Sequence, residues 1–217
     1  MRTYPILEDT YYHVFNRGNL KQTLFHEPSD YARFLFILLY FQSPHTVSNI
    51  HRQITHFLKH KEFSVDQDAS DKIAKDRYVD ILNLCIMPNH FHITVHNKSE
   101  TGLSQYMHRV GNAYGKYYNK KYDQTGHVFQ GTYKAVLVDT DAQLSYLSAY
   151  IHRNPTEIEA WKNKEEHYMW SSFQDYKENR WHGLLDTKYL MQSFQDFSDY
   201  KKFVKQSGAK SNFDFEI

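Results

Sequence analysis

Apolar positions change period several times along the chain, and each change marks an element. Tyr11-Tyr12-His13-Val14-Phe15-Asn16 is aromatic and β-branched and stops at the turn signal Asn16-Arg17-Gly18-Asn19, which predicts a strand. Phe34, Ile37, Leu38 and Phe41 then recur at helical spacing, with Ser29 or Asp30 as the expected cap and Ser43-Pro44 as the stop. Residues 45–76 are polar and histidine-rich, with Val47, Ile50, Ile54, Phe57 and Leu58 on one helical face; they read as an insertion or helical extension. Tyr78–Met87 and Phe91–Val95 predict two strands, and the short Met87-Pro88-Asn89 connection makes them antiparallel neighbours.

A second helix is expected from Leu103-Ser104 to about Asn119. Its buried stripe is Met107, Val110, Tyr114 and Tyr117, and Arg109, Asn112, Lys116 and Lys120 share another face. A turn at Asp123–Gly126 leads to a strand over Tyr133–Val138. The capping-box pattern Thr140 to Gln143 opens a third helix, which Pro155 closes. The order β-α-β-β-α-β with a helix appended predicts an α+β, ferredoxin-like fold: an antiparallel sheet with helices on one face. It occupies residues 1–155, and the charged, aromatic residues 156–217 read as a tail packed on that domain.

Length and composition remove whole classes. At 217 residues the chain can bury a core, and 41% hydrophobic with 24% charged is ordinary for a folded globule. The longest apolar run, Phe34–Phe41, is far short of a membrane span, and no basic-then-apolar leader opens the sequence. Cys85 is the sole cysteine, so neither an internal disulfide nor a paired-cysteine zinc site can form. A cytoplasmic protein with no membrane partner is expected.

The formal net charge of +1 hides an uneven distribution. Residues 156–217 carry 9 basic and 11 acidic side chains, against 17 and 14 for residues 1–155. Between Gln105 and Ala135, Arg109, Lys116, Lys120, Lys121 and Lys134 face the single acid Asp123, among six tyrosines and Phe129. Cations mixed with aromatic rings suit a single-stranded nucleic acid, whose phosphates pair and whose bases stack. Arg17 at the first turn and Arg153 on the third helix extend this set of candidate DNA contacts.

Two places could carry chemistry. His90-Phe91-His92 puts both imidazoles on one side of a strand, within reach of one ion. The motif alone is weak, because 14 histidines in 217 residues give about one His-x-His by chance. On the third helix, Tyr146, Tyr150 and Asn154 follow at intervals of four, and Tyr150 and Asn154 flank the buried stripe together. The Asn154 carboxamide could complete a metal site with two imidazoles.

Taken in order, Met87-Pro88-Asn89-His90-Phe91-His92, Gly126-His127-Val128-Phe129-Gln130-Gly131 and Tyr150-Ile151-His152-Arg153-Asn154-Pro155 resemble the signature blocks of the single-tyrosine HUH transposases. The likeness is greatest to the REP-associated tyrosine transposases, and Trp170-Ser171-Ser172-Phe173 resembles a downstream element of that group. The resemblance implies that His90 and His92 hold a divalent metal, Mg2+ or Mn2+, with Asn154. It further implies that Tyr150 is the nucleophile that cuts single-stranded DNA beside a hairpin through a 5′-phosphotyrosine. His127 and His152 lie inside the matched blocks without an assigned role. The resemblance is compatible with a monomer and with a homodimer exchanging the tyrosine helix. Two other classes compete: a non-catalytic hairpin-DNA binder, and a metal-dependent phosphohydrolase using water as nucleophile.

Overall fold

A computed structural model describes residues 5–64 and 67–208; residues 65–66 of the expected insertion and 209–217 of the expected tail lie outside the described residues. Four strands, β1 (Thr10–Arg17), β2 (Val79–Met87), β3 (His90–Asn97) and β4 (Lys134–Val138), form one antiparallel sheet in the order β2-β3-β1-β4. The turn between β2 and β3 is Pro88-Asn89 alone, since Met87 pairs with His90. That turn is fastened from outside: Leu24 and Phe25 donate to the Pro88 carbonyl and Gly18 to that of Asn89.

The sheet is covered on both faces, so its strands are apolar nearly throughout rather than alternating with polar residues. On one face Tyr12, Val14, Leu84, Ile86, Phe91 and Ile93 meet helices α1 (Pro28–Tyr40) and α4 (Gly102–Tyr122). On the other, Leu82, Cys85 and Met87 meet helix α5 (Asp141–Arg153) and the chain beyond it. The expected helices on one face are thus α1 and α4, while the appended helix lies on the reverse. A register shift between Ile81 and Asn83 inserts one residue into β2. It lets Val79 and Ile81 before it, and Leu84 and Ile86 after it, reach the same core.

Several boundaries differ from the sequence expectation. The cap of α1 is Glu27, and Asp30 at the third helical position reciprocates by accepting the Glu27 backbone N–H at 3.2 Å. Neither Ser29 nor Asp30 is therefore the cap; glutamate is an uncommon one, and Pro28 at the first position already favours the helix start. Helix α4 begins after Thr101 and runs to Tyr122, so the expected Ser104 lies inside it. In α5, Thr140 accepts from the Gln143 N–H as the capping pattern requires.

The insertion forms two helices, α2 (Ile50–His60) and α3 (Gln67–Lys75). Ile54 and Phe57 of α2 are buried, and the Phe57 ring sits 5.7 Å from both Phe36 of α1 and Trp181. Beyond α5 the described residues form three short 3-10 turns, the first starting at Asn154, and helices α6 (Asp175–Glu178), α7 (Lys188–Met191) and α8 (Phe197–Gln206). The tail's Trp170-Ser171-Ser172 stretch runs along the outer edge of β2: Ile86 donates to the Trp170 carbonyl, Ser172 to that of Leu84, and Ser172 Oγ accepts from the Leu84 N–H at 2.8 Å. The edge is thereby paired within the chain.

Candidate active site

The site lies between the α5 face of the sheet and α5 itself. Side chains of a strand alternate, so His90 and His92 of β3 and His13 and Phe15 of β1 all point toward α5, while Phe91 enters the opposite core. Register places Phe15 beside His92 and Arg17 beside His90. From above, α5 brings Tyr150 down so that its ring meets His92 edge-on, with centroids 5.4 Å apart. One turn later, Asn154 Oδ1 comes within 3.4 Å of His90 Nε2. Residues four apart lie on one face of the helix, which is why a single element delivers both. The structure thus brings His90, His92, Tyr150 and Asn154 together, and all four are buried.

Neighbouring groups orient each imidazole. Asn89 Oδ1 lies 2.7 Å from His90 Nδ1, while its Nδ2 donates to the Lys21 carbonyl. His90 Nδ1 is the donor in that arrangement, and its Nε2 lone pair points at Asn154. Asn154 is oriented in turn, since its Nδ2 donates to the Tyr150 carbonyl at 3.0 Å. Two acceptors then face each other across 3.4 Å, which a cation between them would relieve. Donors about 2.1 Å from one ion and adjacent in its shell lie roughly 3.0–3.4 Å apart. Among the described residues no group of three or more His, Cys, Asp or Glu is placed to hold a metal ion. Two imidazoles with the Asn154 carbonyl oxygen are a donor set that would fit an ion keeping further positions for phosphate or water.

His13 is a member of the site that sequence reasoning missed. Its Nε2 lies 2.9 Å from His92 Nδ1, and the two rings stack with centroids 5.1 Å apart. Burial lowers its pKa to about 3, so it stays neutral and can accept from His92. Nothing in the sequence singled it out, since it is one of 14 histidines and its neighbours in the strand are apolar toward both faces.

Burial also governs Tyr150. It pushes the phenol up to about 12, the Glu157 carboxylate adds to this, and a hydrogen bond with Asn154 opposes it. At neutral pH the Tyr150 side chain is therefore a neutral phenol. His152, two residues on, is fully enclosed by the tail: its ring nitrogens meet Tyr200 Oη at 2.6 Å and Ser172 Oγ at 2.8 Å, and the ring stacks on Phe173.

The expected cations do not form one surface. Lys121 is bound to the buried Asp30 and to Glu27, each at 2.5 Å. Arg109 donates to the Ser43 carbonyl and lies over the rings of Phe41 and Tyr78. Arg153 donates to the Ser207 carbonyl. Arg17 bonds Gln130, and Lys134 lies over the Phe15 ring, so both flank the histidine pair. Lys116 and Lys120 are exposed on α4, on the sheet's other side, and Lys116 with His127 lines a large cavity there.

A family model described as "Transposase IS200 like" matches residues 43–154, which carry both histidines, the tyrosine and the asparagine. The chain belongs to the IS200-like transposase family. No curated protein matches this IS200-like transposase. Among solved structures, it is similar to a REP-associated tyrosine transposase bound to a REP hairpin, at 14% identity and a TM-score of 0.52, over 86% of this chain and 88% of the other. That likeness shows a shared fold. No helix among the described residues of this IS200-like transposase is long and apolar enough to cross a membrane.

Proposed function

We propose that the protein is a metal-dependent single-stranded DNA endonuclease and strand transferase that works through a 5′-phosphotyrosine on Tyr150, next to a DNA hairpin. The reading is carried by the convergence of Tyr150 and Asn154 from one helix on the histidine pair of β3, with Tyr150 edge-on to His92 at 5.4 Å and Asn154 Oδ1 3.4 Å from His90 Nε2. Membership of a transposase family agrees with it.

His90, His92 and Asn154 would hold a divalent cation, Mg2+ or Mn2+. When bound, the cation supplies Lewis-acid polarisation of the scissile phosphate and stabilises the departing oxygen. Imidazole ligands suit Mn2+ at least as well as Mg2+. Tyr150 provides the nucleophile: its Oη forms the new O–P bond as the P–O3′ bond breaks, the phenol giving up its proton and the leaving oxygen taking one up to end as a 3′-hydroxyl. The phosphodiester energy is kept in the phosphotyrosine, so a 3′-hydroxyl reverses the step without ATP. Asn89 and His13 keep the two imidazoles turned to the site. Arg17 and Lys134, beside the pair, are placed to receive the backbone of the strand.

The test is covalent capture. Labelled hairpin DNA with a single-stranded flank is incubated with Mn2+ and run on a denaturing gel. A shift that survives denaturation and vanishes in Tyr150→Phe is expected. An adduct that persists in Tyr150→Phe would remove the assignment of the nucleophile; cleavage with no adduct would favour the water-using phosphohydrolase, and binding without cleavage the non-catalytic binder.

A further inference from the structure

A cavity of about 530 Å³ lies on the α4 side of the sheet, away from Tyr150, between α4 and the segment from Gly126 to Tyr133. Its volume is that of a small-ligand pocket, roughly 300–1,000 Å³. The segment turns in and out through Gly126 and Gly131, at φ values of 87° and 66°, and is held along the end of β1 by Asn19 donating to the Val128 carbonyl and Gln130 to that of Arg17. The floor is apolar, from Phe91, Val110 and Phe129; the rim carries Asn112, Lys116 and His127. The Phe91 and Phe129 rings meet edge to face, at 82° with centroids 6.0 Å apart, and an apolar floor under a rim of donors and a cation suits an aromatic heterocycle on a phosphate backbone.

Helix α4 keeps this space open. Gly111 and Gly115, one turn apart, both line the cavity, and a Cβ added at either would meet nothing within 4 Å. Mid-helix glycines are unfavourable relative to alanine, and among the described residues no close packing against a neighbour compensates at these two. The cavity also connects toward the cleavage site. Asn16 and Thr132 wall both it and a smaller depression formed by Phe15, Arg17, Gln130 and Lys134. The Phe15 ring is 5.6 Å from that of His92. A strand leaving the histidine pair past Arg17 and Lys134 therefore arrives, around the end of β1, at this opening.

We infer that the cavity is a nucleobase subsite, which takes one unpaired base of the strand flanking the cleaved phosphate; the inference rests on reading DNA as the substrate. The base lies against Phe129, the more exposed of the two rings, with its edge toward Asn112 and His127, and Lys116 receives the adjoining phosphate.

The experiment measures binding without metal, by fluorescence anisotropy. The probes are single strands about fifteen nucleotides long of dA, dC, dT or 7-deaza-dG, and an abasic strand of the same length. The native chain is expected to bind at least one base-bearing strand about tenfold more tightly than the abasic one. Gly115→Leu, which fills the cavity, should abolish that preference and leave abasic binding unchanged. A preference that survives Gly115→Leu, or none in the native chain, overturns the subsite. Gly111→Leu fills the same space and replaces Gly115→Leu should the latter melt early. Capture of the Tyr150 adduct on the native chain separates the two readings: an adduct without base preference removes the subsite alone, and a base preference without an adduct leaves the subsite standing while the tyrosine chemistry falls.

Discussion

His13 Nε2 lies 2.9 Å from His92 Nδ1, joining the first strand to the histidine pair of the third. When His92 Nδ1 donates in that bond, its Nε2 keeps the lone pair a cation requires, and a neutral His13 can serve as the acceptor. His13→Ala should lower Mn2+ affinity about 10- to 100-fold, the usual effect of losing a partner that orients a ligand. His13→Gln, whose amide oxygen can still accept, should recover part of it. Calorimetric titration with Mn2+ measures both; equal affinity in His13→Ala and the native protein would make His13 a packing residue only.

The pairing of Lys121 with Asp30 predicts an effect on folding rather than on DNA. Burial alone would raise the Asp30 carboxyl, but hydrogen bonds from Lys121, Tyr122, Tyr117 and the His26 backbone hold it below the usual carboxylate range. Lys121→Met leaves that buried carboxylate short of its cation and should cost about 2–4 kcal/mol in denaturant unfolding. Were Lys121 chiefly a phosphate contact, stability would be kept and the salt slope of DNA binding would fall by about one. A depressed carboxylate contributes stability that is present above its unfolded pKa near 3.9 and lost as pH falls through the lower folded value. The acid limb of the native stability curve should therefore flatten in Asp30→Asn.

A second pH dependence runs the other way. His96 is raised first by its hydrogen bond to Asp80 and further by Asp9, whose Oδ1 is 2.8 Å from Nε2, against burial and the Lys98 charge. Arg77 binds the same Asp80 at 3.1 Å, and the Tyr11 ring stacks on the imidazole at 4.6 Å. A raised imidazole contributes stability that is complete below its unfolded pKa of about 6.5 and is lost as pH rises through the folded value. Thermal midpoints should decline from about pH 6.5 upward in the native protein and less steeply in His96→Gln. An unchanged profile in the variant would assign the decline elsewhere.

Gly111→Ala and Gly115→Ala should each raise stability, by about 0.5–1 kcal/mol, because alanine is the better helix former and the added methyl meets nothing. Chemical denaturation measures the gain. A loss at either position would mean that the helix bends there or packs against a group that approaches in solution.

Much of the scaffold was legible in the sequence because period and punctuation agreed locally: the strand at Tyr11, the Pro88-Asn89 turn and the Thr140 cap all stand where the pattern placed them. What stayed hidden depends on partners distant in sequence. His13 is one histidine of 14, and in a strand buried on both faces a polar residue carries no sign of which way it points. Lys121 read as a candidate DNA-backbone cation because its partner Asp30 lies 91 residues away. The charged, weakly periodic tail gave no hint that Ser172 would pair with β2 and hold His152 at once, since each tie is a single hydroxyl rather than an apolar stripe.

The arrangement of α5 also predicts the outcome of mixing defective chains. Tyr150 meets the His92 of its own chain, and α5 is fastened from behind by Ser172 and Tyr200, which both bond His152. A His92→Ala chain mixed with a Tyr150→Phe chain should then form no adduct, whereas exchange of the helix between subunits would restore one. Under the proposed chemistry, this makes the molecule a device with a single slot. Each chain can hold one DNA end covalently at a time, so excising a segment, which exposes two ends, takes either two molecules acting together or one that must empty itself before it cuts again.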